Sequence, residues 1–102
     1  MSRAKAIHEA LLAEQAAAIR RERTRMAREL AKLPRVTVFP SRANFVLLRV
    51  PDAARTQAAM KARGVLVKNV SALHPLLANC LRLTVGSAEE NTQMLAVLQE
   101  SL

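Results

Sequence analysis

Aromatic residues are nearly missing from this chain: two phenylalanines, no tyrosine and no tryptophan among 102 residues. Single-stranded nucleic acid is usually gripped by stacking bases on such rings, so the usual platform for it is absent. Glycine is equally scarce. Two glycines, Gly64 and Gly86, cannot form a G-x-G-x-x-G phosphate cradle or the G-x-x-G loop of KH-type RNA binders. A single cysteine, Cys80, excludes an intrachain disulfide framework; it reads as a small buried residue and fits a reducing, cytoplasmic setting. No apolar run approaches the length of a membrane span, and the alanine-rich, charged first residues do not read as a secretory signal. Histidine occurs only at His8 and His74, each read as a surface residue with no cysteine or carboxylate spaced to make a metal site or nucleophile pair.

What is present is basic charge and aliphatic bulk. The formal net charge is +8, and half of the residues are hydrophobic, enough for a core without metal or disulfides. Nine of the sixteen Lys/Arg fall in the first 35 residues. There they interleave with Glu14, Glu22 and Glu29, giving helical pairs of Glu22 and Glu29 with Arg25. Such a run is the pattern of a solvated helix face rather than of a nucleic-acid stripe.

Residues 3 to 33 read as one helix, free of Gly and Pro until Pro34. Leu12, Ile19, Met26 and Leu33 recur every seven residues, with Leu30 thickening the stripe. Ile7, Ala10 and Leu11 drift off that stripe and are expected to face something other than this chain's own sheet. Strands follow at Val36–Phe39 and Phe45–Val50, separated by a turn holding Pro40, Ser41 and Arg42. Asp52 is placed to cap a helix over Ala53–Arg63, and Gly64 to end it in the left-handed conformation. A third strand is expected over Val65–Val70, then a loop over Ser71–Asn79 too short for a structured insertion.

The sharpest pattern is Asn79-Cys80-Leu81-Arg82-Leu83-Thr84-Val85-Gly86-Ser87-Ala88-Glu89-Glu90-Asn91. Alternation puts Leu81, Leu83 and Val85 on one face of a strand and Cys80, Arg82 and Thr84 on the other. Gly86 ends the strand, and Ser87 with Glu90 forms a capping box for the last helix, whose stripe is Met94, Val97, Leu98 and Leu102. The fold class is therefore two-layer α/β in the order α-β-β-α-β-β-α. The long helix over 1–33 precedes a small α/β domain over 34–102, whose mostly antiparallel four-stranded sheet carries helices on one face. Arg82 is the anomaly, because a guanidinium in mid-strand needs either a partner or a route to water.

Cys-Leu-Arg-Leu-Thr-Val-Gly followed by Ser-Ala-Glu-Glu-Asn resembles the C-terminal signature of histidinol-phosphate aminotransferases. Val38-Phe39-Pro40-Ser41-Arg42-Ala43-Asn44-Phe45 and Gly64-Val65-Leu66-Val67-Lys68 are similar to that family in order and spacing, and the likeness covers essentially the whole chain. The resemblance implies the small domain of an aspartate-aminotransferase fold, a fragment beginning just after the large domain of a homodimeric enzyme. The parent would be a pyridoxal-phosphate enzyme exchanging an amino group between histidinol phosphate and glutamate. Its cofactor lysine would lie in the large domain, so this chain contributes no catalytic, cofactor-binding or metal residue and is expected to be inactive alone. Arg82 matches the arginine that grips the anionic end of the substrate, since its planar fork pairs bidentately with carboxylate or phosphate. Lys68 stands where many members carry arginine, and reads equally as a second phosphate contact or a solvated strand-end residue. Asn44 reads first as a turn residue and second as a substrate contact. Two other readings of the chain are a stand-alone basic module that binds RNA and a small-molecule regulatory domain with a pocket within the sheet.

Overall fold

The computed structural model describes residues 3–41 and 43–102. Helix α1 runs over Arg3–Ala31, strand β1 over Thr37–Phe39 and β2 over Phe45–Arg49. Helix α2 follows at Ala53–Ala62, β3 at Lys68–Asn69, β4 at Cys80–Thr84 and helix α3 at Ala88–Glu100. The strands form one sheet in the order β1-β2-β4-β3, every pairing antiparallel.

The alternation read from sequence sets the layers. Val46 and Leu48 of β2 stand opposite Leu83 and Leu81 of β4 and point into the core. Met26 and Leu30 of α1, Ala53 and Met60 of α2, and Leu98 of α3 close over them. Fully burying a side chain of this size contributes about 1.5–3 kcal/mol, so these few residues hold the three helices to one face of the sheet.

Helix α1 is longer than the sheet needs. Its 29 residues at about 1.5 Å each span about 43 Å, and the longest dimension of the molecule is 52 Å. The radius of gyration, 15.6 Å, exceeds the roughly 13 Å of a compact chain of this length because the helix overhangs. The seven-residue stripe holds from Ile19 onward but not at Leu12, which is 50% exposed beyond the end of the sheet. Ile7 and Leu11 are likewise uncovered, as expected from their drift off the stripe.

The caps fall where the sequence puts them. Asp52 Oδ1 accepts the Arg55 N–H at 3.1 Å, and Gly64 adopts φ +82° after α2. Ser87 Oγ accepts from Glu90 N–H while Glu90 Oε1 accepts from Ser87 N–H, completing the capping box. A Cβ at Gly86 would stand 2.9 Å from Glu90 Oε1, so any larger residue there would push the Glu90 side chain of the capping box aside.

Three expectations are corrected. Strand β3 is confined to Lys68–Asn69 instead of Val65–Val70, because helix α2 takes the earlier backbone groups. The Val65 N–H closes the helix end on Met60 O, and Gln57 donates to Val67 O. The 71–79 segment is structured, with 3₁₀ turns over Ser71–Leu73 and Pro75–Leu77. Asn69 Oδ1 accepts from Ser71 N–H, and His74 Nδ1 accepts from Leu76 N–H, so His74 works as a local cap. Glu29 forms its ion pair with Lys32, so Arg25 is hydrogen-bonded to Glu22 and feels Glu29 only as a charge at a distance.

Candidate functional site

The three helices leave the other face of the sheet open, and Arg82 stands in its middle. Cross-strand partners share a face. Arg82 faces Leu47 of β2 on one side and Lys68 of β3 on the other, while Phe45 faces Thr84 and Arg49 faces Cys80. This face carries Thr37, Phe39, Phe45, Leu47, Arg49, Cys80, Arg82, Thr84 and Lys68, and not one acidic residue.

Arg82 is half-buried, and its guanidinium lies over the Phe45 ring, 5.6 Å from the centroid. It makes no hydrogen bond or ion pair among the described residues, so its five N–H donors have no partner in the fold. Arg49 on the same face behaves otherwise. It lies 5.2 Å over the Phe39 ring, and its Nε and Nη2 donate to the carbonyls of Ala78 and Leu76. That clasp draws the 71–79 segment over one end of the face. Cys80, across from Arg49, is fully buried there, its thiol directed at Ala78 O, although alternation alone places it on the wet side.

Register brings Lys68 beside Arg82, where two like charges on directly opposed positions repel. Lys68 is exposed and has no polar partner among the described residues. Asn44 lies at the end of β2. Its carbonyl accepts the Val85 N–H at 2.8 Å and extends the β2–β4 ladder, whereas its exposed side chain has no hydrogen-bond partner among the described residues. The turn role assigned to Asn44 is thus performed by its backbone. In the same turn, Ser41 Oγ is buried without a partner among the described residues, and Arg42 lies outside them.

The polar residues that hold this arrangement are behind the sheet, and sequence reasoning missed two of them. Asn91, fully buried, accepts from Gly86 N–H at 2.8 Å and donates to Gly86 O and to Glu22 Oε1. Glu22 also takes two bonds from Arg25, whose Nη2 reaches on to Ala88 O and Thr92 Oγ1. These donors, Arg25 first and Asn91 second, draw the Glu22 carboxyl down to about 2. The other is Asn79, in the left-handed region at φ 56°, whose Oδ1 accepts from Ala53 N–H at the start of α2. An asparagine just before a strand and another just inside a helix are the signals that point to them.

Four recesses of 460–550 Å³ line α1, and none includes Arg82, Lys68 or Asn44. The candidate site is an open sheet face. No group of three or more His, Cys, Asp or Glu that could hold a metal ion occurs among the described residues.

A four-stranded antiparallel sheet with three helices on one face is an arrangement found in known proteins. The family of aminotransferases of class I and II matches residues 1–98, and the chain belongs to that family. It is 61% identical over 92 residues to a histidinol-phosphate aminotransferase of Methylibium petroleiphilum, covering 90% of this chain and 25% of that protein. It is 58% identical over 95 residues to histidinol-phosphate aminotransferase 1 of Burkholderia lata, covering 93% and 27%. The chain therefore spans about a quarter of the length of the curated relatives it matches. Among solved structures, a putative aminotransferase from Burkholderia pseudomallei K96243 superposes with a TM-score of 0.74 at 33% identity, over 82% of this chain and 25% of that one. The histidinol-phosphate aminotransferase from Clostridium acetobutylicum shares the fold, with a TM-score of 0.77 over 97% of this chain and 29% of that one at 24% identity. These findings lend no support to an RNA-binding module or a regulatory domain.

Proposed function

We propose that this chain is the substrate-clamping part of a pyridoxal-phosphate aminotransferase that exchanges an amino group between histidinol phosphate and glutamate in histidine biosynthesis. The observation that carries the reading is Arg82: a mid-strand guanidinium without a hydrogen-bond acceptor among the described residues, on a face with no acid. Such a group is stable with its donors turned to water, and it is ready to pair bidentately with a phosphate or carboxylate brought to that face. Lys68 adds a second positive charge beside it, suited to the phosphate end of histidinol phosphate. Asn44 offers a neutral amide at the rim. For glutamate, which has no phosphate, the α-carboxylate takes the place at Arg82.

Pyridoxal phosphate, when bound to an aminotransferase, supplies the electron sink for amino exchange. The residues here do not fit its attachment: the chain's four lysines are exposed, and Lys32 is tied to Glu29. The attachment is assigned to a large domain outside this chain, against which the open face and the overhanging start of α1 would pack. A cytoplasmic homodimer is the expected form of the whole enzyme.

The test is amino transfer by the full-length protein from an amino donor to the 2-oxo acid of glutamate, with glutamate formed as the product. Histidinol phosphate should be the preferred partner, and histidinol without its phosphate should react at least tenfold less efficiently. Equal rates with and without the phosphate, or preference for phenylalanine, would contradict the assignment. The 102-residue chain by itself should show no cofactor absorbance and no transamination.

A further inference from the structure

Both phenylalanines of the chain lie on the helix-free face, and each sits under a guanidinium. The two pairs differ in what else holds the arginine. Arg49 has two carbonyl acceptors besides its ring, so Phe39 is a supplement to a hydrogen-bonded clasp. Arg82 has the ring alone. We propose that Phe45 is a positioning residue for Arg82, holding the guanidinium aimed from the sheet by its ring face while leaving every N–H free for an anionic ligand.

Several features of the strand pairing support this role. Phe45 is directly opposite Thr84, two residues along β4 from Arg82, which is the diagonal at which aromatic and long side chains reach each other. Its backbone is pinned on both sides of the residue, by the β2–β4 ladder and by the Val85 N–H bond to Asn44 O. On the other side of Arg82, Lys68 stands in register and repels the guanidinium toward Phe45. A cation held over a ring keeps its donors, because the attraction is to the π face and not to a lone pair. A carboxylate in the same position would order Arg82 equally well but would compete with the ligand for the same N–H groups. Ordering the long side chain beforehand removes an entropy cost that binding would otherwise meet.

The inference rests on the reading of Arg82 as an anion clamp, and the experiment separates the two. In the 102-residue chain labelled at arginine, the Arg82 Hδ and Hε resonances should show the ring-current displacement of a group over an aromatic face. Phe45→Leu should abolish that displacement, and Phe45→Tyr should keep it. Its absence in the unsubstituted chain would overturn the proposal without any variant having to fold. In the full-length aminotransferase, Phe45→Leu should raise KM for histidinol phosphate about fivefold with kcat changed less than twofold, and Phe45→Tyr should restore KM. Arg82→Ala is run beside it. If Arg82→Ala raises KM and Phe45→Leu does not, Phe45 is not the positioning residue and the clamp stands. If neither raises KM, the clamp reading itself fails and this inference with it.

Discussion

Replacing Asn91 with alanine should lower the stability of this chain by about 2–3 kcal/mol, a large share of what a small protein has. The residue is completely buried, and its amide answers both backbone groups of Gly86, at 2.8 Å and 3.1 Å. At about 1 kcal/mol net for each hydrogen bond, those two contribute about 2 kcal/mol. The space left by the amide adds a further fraction. Gly86 is exposed, so its N–H and C=O recover water after the change, which keeps the cost below that of stranding buried groups. The third bond, to Glu22, matters differently: without it, the carboxyl keeps Arg25 and its pKa moves partway back up from about 2. Urea unfolding at neutral pH is the assay. With m of about 1–3 kcal/mol/M, the midpoint should fall by roughly 1 M or more while m stays constant. Asn91→Asp should be worse than alanine at pH 7, since it sets a second carboxylate against Glu22, and should recover part of the deficit as the acid is protonated. A loss below about 0.5 kcal/mol for Asn91→Ala would show that the amide does not bridge α1 to the turn that ends β4, and the reasoning would fail.

Other perturbations probe the remaining supports. Glu22 is held below its ordinary 4.5, so its contribution is fully present above about pH 4.5 and is lost as pH falls toward about 2. Glu29 and Glu90 are shifted down as well, by Lys32 and by the Ser87 N–H, so acid titration of stability should steepen in that window and Glu22→Gln should flatten it. Gly64→Ala should destabilise by about 1 kcal/mol through backbone strain alone, because φ is +82° and a Cβ there meets nothing within 4 Å; no change in thermal midpoint would refute it. Arg49→Leu should free the 71–79 segment, read as faster amide exchange at Leu76 to Ala78 with β2 and β4 still protected; unchanged exchange there would mean the clasp is not what holds the segment.

Much of this architecture is legible in the sequence because local signals and burial agree. The alternation through Leu81, Arg82 and Leu83 assigns faces correctly, and Asp52, Gly64 and Ser87 with Glu90 mark helix ends that the structure keeps. The failures arise from tertiary context that local signals do not carry. Val65 to Val67 are as apolar as a strand requires, yet helix α2 claims Val65 N–H and Val67 O before a ladder can form. Leu12 fits the periodicity of α1 but lies where the sheet has ended, and periodicity carries no information on where a partner stops. The 71–79 segment is ordered by side chains of Asn69, His74 and Arg49, whose partners are two to 29 residues away. At the site, the mid-strand arginine is visible from its flanking leucines. That Phe45 lies under it and Lys68 beside it depends on register, which only the folded sheet supplies.

Arg82→Lys tests the central claim most directly, since it keeps the charge and removes the fork. Urea unfolding of the 102-residue chain should be unchanged within about 0.5 kcal/mol, because no acceptor among the described residues depends on the guanidinium. In the full-length aminotransferase, kcat/KM for histidinol phosphate should fall roughly tenfold or more, the equivalent of at least about 1.4 kcal/mol of lost transition-state binding. Unfolding of the chain, or kinetics indistinguishable from the unsubstituted enzyme, would contradict the account.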